Sequence, residues 1–146
     1  MNIAIGCDHR GLTLKKMVIH LIQRSGHEYN DCGCFTPYSV DYPDIAYKVT
    51  KLVVDDICER GSLICGTGIG MSIAANKMRG IRAALCRDYL SARRARNHNN
   101  ANVLCLGAEF ISDELNEIIR VFLNDGFEGG RHQRRLDKVT GLESQV

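Results

Sequence analysis

Apolar positions in this chain follow two alternating rhythms. The runs "NIAIGC" (2–7), "SLIC" (62–65), "IRAALC" (81–86) and "ANVLCLG" (101–107) are short and continuous, as strands buried on both faces are. "HEYNDCG" (27–33) predicts one more short strand. Between these runs the apolar residues recur every three or four positions. Leu14, Met17, Val18, Leu21 and Ile22 mark one face of a helix that stops near Gly26. Ile45, Val49, Leu52, Val53 and Ile57 mark a second helix over 44–60, with Gly61 in its C′ position. "GMSIAANKM" (70–78), "YLSARRARN" (89–97) and "DELNEIIRVFLND" (113–125) predict three more. The last carries Asp113, Glu114 and, slightly later, Glu117 at its start, where the helix dipole favours acids. Residues 35–43 contain both prolines and read as a loop, and the basic tail 129–143 is expected to be partly helical.

Strands alternating with helices define an α/β fold, a doubly wound and mostly parallel sheet. No linker, repeat or low-complexity segment interrupts residues 1–146, so one domain is expected. In such sheets the ligand crevice lies beyond the carboxyl ends of the strands. This directs attention to "CDHRG", "CGTGIG", "CRDY" and "GAEF", the segments that follow four of the strands.

Charge and composition narrow the function. With 19 basic and 17 acidic residues the formal charge is +2, which gives no broad attraction to nucleic acid or anionic membranes. "SARRARN" is basic but has no interleaved aromatic residues, so no nucleic-acid partner is expected. No apolar run reaches the ~20 residues of a membrane span, and the N-terminus lacks a basic n-region. A cytoplasmic location follows as the expectation. The seven cysteines are odd in number and scattered, which fits reduced thiols. Cys7, Cys65, Cys86 and Cys105 lie in or at the end of apolar runs. "CGC" at 32–34, with His27 upstream, lacks a second ligand pair at zinc spacing, so no metal is expected.

The chemistry concentrates in "CGTGIGMSIAANK" (65–77). Met71 breaks the dinucleotide fingerprint, no Gly-Lys-Ser/Thr is present for a P-loop, and no Arg stands six residues after Cys65. Two readings remain for Gly66, Gly68 and Gly70. They are a structural turn, or they form a backbone cradle for an oxyanion beside the Cys65 thiol, which is then nucleophile or base. Asp8 and His9 suit acid–base work or sugar hydroxyls, or cap the next helix. His98 and Asn99 lie in "ARNHNN" (95–100) and are structural or functional. Arg131 and Arg135, four apart, either present two guanidiniums to a phosphate or belong to a solvated surface run.

Together "IGCDHRG" (5–11), "DYPD" (41–44), "ICGTGIGMSIAANK" (64–77), "GIRAALC" (80–86), "HNNANVLCLG" (98–107) and "EGGRHQRR" (128–135) resemble the type B ribose-5-phosphate isomerases. The wider group includes galactose-6-phosphate isomerase subunits, and the resemblance runs almost end to end. It implies a Rossmann-like three-layer α/β/α sandwich with a five-stranded parallel sheet. It implies aldose–ketose isomerisation of a phosphosugar without cofactor. Cys65 matches the base, and Thr67 a hydroxyl that helps move protons. The amides from Gly66 through Gly68 and Ile69 to Gly70 match an enediolate cradle. Asp8 and His98 match the ring-opening positions, Tyr42 and Asn99 the substrate pocket, and His9, Arg131 and Arg135 the phosphate contacts. A homodimer or dimer of dimers is implied, with His98 and Asn99 meeting Cys65 across an interface. One position departs from the pattern. Many members have Arg where this chain has Glu109, and some galactose-6-phosphate isomerase subunits have Glu there. An acid repels phosphate, so Glu109 is expected to face elsewhere, or the phosphate to sit differently. The expected reaction is ribose 5-phosphate to ribulose 5-phosphate. The alternatives are a six-carbon phosphosugar isomerase and a non-catalytic phosphosugar-binding subunit.

Overall fold

The structure is a computed structural model that describes residues 1–145. Its strands are β1 (Asn2–Cys7), β2 (Glu28–Asp31), β3 (Arg60–Cys65), β4 (Ala83–Leu85) and β5 (Val103–Gly107). Its α-helices are α1 (Leu12–Arg24), α2 (Tyr42–Val54), α3 (Ile69–Ala75), α4 (Tyr89–Asn99), α5 (Leu115–Asn124) and α6 (Arg131–Glu143). The strands form one sheet in the order β2-β1-β3-β5-β4. All pairs are parallel, with Ile5 opposite Ser62 and Leu63 opposite Cys105.

Alternate strand residues face opposite sides, which makes two apolar layers. Ile3, Ile5, Ile64, Leu104 and Leu106 pack under α1, α4 and α5. Ala4, Leu63, Val103 and Cys105 pack under α2 and α3. The three-layer α/β/α sandwich is therefore present.

Some local expectations are corrected. Helix α1 buries Leu14, Lys15, Val18 and Ile22, whereas Met17 is largely exposed. Lys15 replaces it inside because its Nζ donates to Asp31 Oδ1 at 2.8 Å and to the Cys34 carbonyl at 2.7 Å. Helix α2 begins at Tyr42, inside the expected loop, with Pro43 in its first turn, where a missing N–H costs nothing. It stops at Val54 rather than Arg60, which leaves Ile57 exposed. The chain turns through Asp56 at φ 56°. Gly61 is not a helix cap but a residue of β3. A Cβ there would stand 2.9 Å from Val49 Cγ1 and 3.2 Å from Val103 Cγ2, so glycine lets α2 lie close on the sheet. The tail forms the complete helix α6.

Candidate active site

The glycine turn connects β3 to α3 at the carboxyl edge of the sheet. Cys65 ends β3 and is buried. The chain then turns through Gly68 at φ 77°, in the left-handed region where only glycine is unstrained. A Cβ at Gly68 would also stand 2.9 Å from the carbonyl carbon of Leu106. Position 68 is thus closed to side chains both by conformation and by space. The turn brings the Gly68 N–H to Cys65 Sγ, a donation at 3.2 Å. The Ile69 N–H donates to Thr67 Oγ1 at 3.2 Å, leaving that hydroxyl its own proton to donate. Helix α3 starts here, and first-turn amides have no intrahelical acceptor. A buried sulfur, a hydroxyl and the backbone amides of a glycine-rich segment therefore share one turn.

Three thiols elsewhere in the core are held protonated. Burial pushes Cys7 up to about 12 and Cys86 up to about 11, and it raises Cys105 too. They remain neutral thiols near pH 7 and serve as small apolar residues, as their places in the apolar runs predicted.

The neighbouring loop closes the turn from the β1 side. Asp8 is buried, and its Oδ1 accepts the Arg10 N–H at 2.9 Å. His9 Nδ1 accepts the Val40 N–H at 3.3 Å, which assigns any ring hydrogen to Nε2. Tyr42 lies against Gly70, where a Cβ would stand 2.7 Å from its ring. Glu109 does not turn away. It forms an ion pair with Arg10, and both side chains stand over Gly66. A Cβ on Gly66 would be 2.9 Å from Arg10 Nη1 and 3.1 Å from Glu109 Oε1. Arg10 was missed from the sequence because its importance comes from Glu109, nearly a hundred residues away.

Asp8, His9, Tyr42 and residues 65–70 therefore come together. His98, Asn99, Arg131 and Arg135 do not join them within one chain. Helix α4 runs back from the carboxyl end of β4 to the amino end of β5, so its last turn lies at the amino edge. Its 11 residues span about 16 Å at 1.5 Å each. At that edge His98 stacks on His132 of α6, with ring centroids 4.1 Å apart and planes 11° from parallel. Glu128 Oε2 lies 3.7 Å from His98 Nε2 and 3.5 Å from His132 Nε2. Arg94 Nη1 is 3.0 Å from His98 Nε2. Burial holds the His132 pKa below its usual value, aided by His98 and Arg131 and opposed by Glu128. Asn99 lines an open groove of about 460 Å³ with Ala83, Ala95, Leu136 and Val139. His132 was legible in the sequence only as a member of the basic run "EGGRHQRR", with no role of its own.

The sequence profile of the ribose/galactose isomerase family matches residues 3–139. Ribose-5-phosphate isomerase B of Escherichia coli is 44% identical over 146 residues, covering 99% of this chain and 97% of that protein. The ribose-5-phosphate isomerase B structure from Clostridium thermocellum superposes with a TM-score of 0.95 at 44% identity, covering 99% of both chains. The Mycoplasma genitalium ribose-5-phosphate isomerase B structure, with bound ribulose-5-phosphate, gives a TM-score of 0.90 at 44% identity. It covers 99% of this chain and 97% of that one. This chain belongs to the ribose/galactose isomerase family.

Proposed function

We propose that this chain is an aldose–ketose isomerase that interconverts ribose 5-phosphate and ribulose 5-phosphate through an enediolate. The observation that carries the reading is the buried Cys65 sulfur accepting a backbone N–H inside a glycine turn that leads into a helix. Such a turn favours a thiolate and the oxyanion that forms beside it. The Cys65 thiolate takes the proton from C2 of the open-chain aldose. The electron pair becomes the enediolate, whose oxygen charge the amides of Gly66 to Gly70 stabilise. The Thr67 hydroxyl moves a proton between O1 and O2, and the Cys65 thiol returns its proton to C1. Asp8 acts in ring opening, while Tyr42 borders the sugar. His9 and Arg10 favour the phosphate end, with Arg131 and Arg135. Residues 1–146 act as one isomerase domain, and no cofactor enters these steps.

His98, Asn99, Arg131 and Arg135 lie at the opposite edge from Cys65, which supports a homodimer whose sites are built from both copies. Mixing Cys65→Ala chains with His98→Ala chains tests this. Random pairing would make one sound site in half of the dimers, restoring about a quarter of wild-type activity. No recovery after subunit exchange would place each site in a single chain. Conversion of ribose 5-phosphate by the purified chain, lost in Cys65→Ala with an unchanged fold, tests the reaction itself. Full activity in that variant would remove Cys65 as the base.

Glu109 beside the cradle favours one second reading, a six-carbon phosphosugar held with its phosphate displaced from Arg10. A higher kcat/KM for allose 6-phosphate or galactose 6-phosphate than for ribose 5-phosphate would favour it. A cytoplasmic, reducing compartment is proposed on the seven free thiols. Among the described residues no helix is long and apolar enough to cross a membrane.

A further inference from the structure

The amino edge of the sheet carries a second chemical feature. His132 is more than nine-tenths buried, and its Nε2 has no hydrogen-bond partner. A buried polar nitrogen left unpaired is costly, so what it faces is informative. It faces Glu128 Oε2 at 3.5 Å, and that oxygen lies 3.7 Å from His98 Nε2. All three donor atoms lie within 4.8 Å of one another.

The backbone builds this cluster. Helix α4 delivers His98 in its last turn, and α6 delivers His132 in its first. The Glu128 N–H donates to the Asn97 carbonyl at 3.0 Å, tying the loop before α6 to the end of α4. The His132 N–H donates to the Gly129 carbonyl at 3.1 Å.

We propose that His98, Glu128 and His132 form a binding site for a divalent transition-metal ion of the Zn²⁺ class, and that occupancy inhibits the enzyme. Two neutral imidazoles and one carboxylate are a ligand set that Zn²⁺ accepts. Zn–N and Zn–O distances of about 2.0–2.2 Å set tetrahedral donors roughly 3.4 Å apart. Two of the donor pairs here are at 3.5 and 3.7 Å. The ion requires two local adjustments. The stacked rings must tilt so that both lone pairs converge, and Arg94 must release His98 Nε2. Glu128 is half exposed, so the fourth position opens to water. Arg94, Arg131 and Arg135 oppose a cation here, so the site suits a reversible ligand better than a permanent one. The inhibition rests on the isomerase reading, because the ion would occupy His98, which the family resemblance assigns to ring opening.

Equilibrium dialysis of the reduced full chain against Zn²⁺ alone measures the site without using activity. One ion per chain is expected, with affinity reduced at least about tenfold in Glu128→Ala and in His132→Phe. His132→Phe keeps a ring against His98 and removes the unpaired nitrogen, so its melting temperature should not fall. Co²⁺ should bind with tetrahedral visible bands and without a thiolate charge-transfer band. Unchanged Zn²⁺ binding in both variants, or a thiolate band, would overturn the site in favour of the cysteines. In the isomerase assay, Zn²⁺ should inhibit the wild type and a chelator should reverse it. Glu128→Ala, compared with its own metal-free rate, should need at least about tenfold more Zn²⁺. Bound Zn²⁺ without inhibition would refute the inhibitory role. An inactive chain that still binds Zn²⁺ through these residues would refute the isomerase reading and leave the site standing.

Discussion

At residue scale, glycine shows where space is already taken. Gly68 meets the Leu106 carbonyl behind it, and its φ of 77° adds strain for any L-residue. Gly68→Ala should therefore lower both stability and kcat, as read by thermal melting and steady-state kinetics. Wild-type kcat in a folded Gly68→Ala protein would contradict a cradle this tight. The Arg10–Glu109 pair permits a finer test. Arg10→Ala should raise KM about tenfold with a smaller effect on kcat, since a charge-assisted contact of ~1.5 kcal/mol corresponds to about that factor. Glu109→Gln should act in the opposite direction, because it frees the guanidinium for the substrate's phosphate. The sequence marked Glu109 as unusual but did not show Arg10 beside it, since ion pairs between distant loops leave no local period.

At the scale of elements, the strands inside the sheet were legible because buried parallel strands are continuous apolar runs, whereas the edge strand β2 is polar and largely exposed. Helix ends were less legible. The α2 face reads on to Ile57, yet Asp56 at positive φ ends it, and nothing in the apolar spacing announces that turn. Lys15 was hidden for a related reason. Periodicity assigns a lysine to solvent, but this one ties α1 to Asp31 at the end of the edge strand and to the Cys34 carbonyl, with its ammonium 4.6 Å from the Phe35 ring centre. Lys15→Met should cost about 2–3 kcal/mol in urea unfolding, since one partner of a buried pair is removed. Adding Asp31→Asn should recover part of that loss, and a neutral Lys15→Met would mean that the pair contributes nothing net.

At the scale of the whole molecule, the buried thiols set an alkaline limit. Cys7, Cys86 and Cys105 titrate above the ordinary 9.0 because burial disfavours their thiolates. The folded state therefore holds protons that the unfolded chain releases. Their contribution is complete below pH 9 and is lost as pH rises towards 12. Each thiol makes stability fall by roughly 1.4 kcal/mol per pH unit between pH 9 and its own raised pKa. Urea midpoints between pH 8 and 11 should fall less steeply in Cys105→Ala than in the wild type, and equal slopes would refute the assignment. The motifs of the candidate site were legible one by one, but the separation of His98 and Asn99 from Cys65 came only as an implication of the family resemblance, because no local pattern shows which way each helix returns. That separation has a kinetic consequence. If neither copy holds a whole site, turnover per chain depends on protein concentration, constant when chains are paired and falling on dilution as they separate.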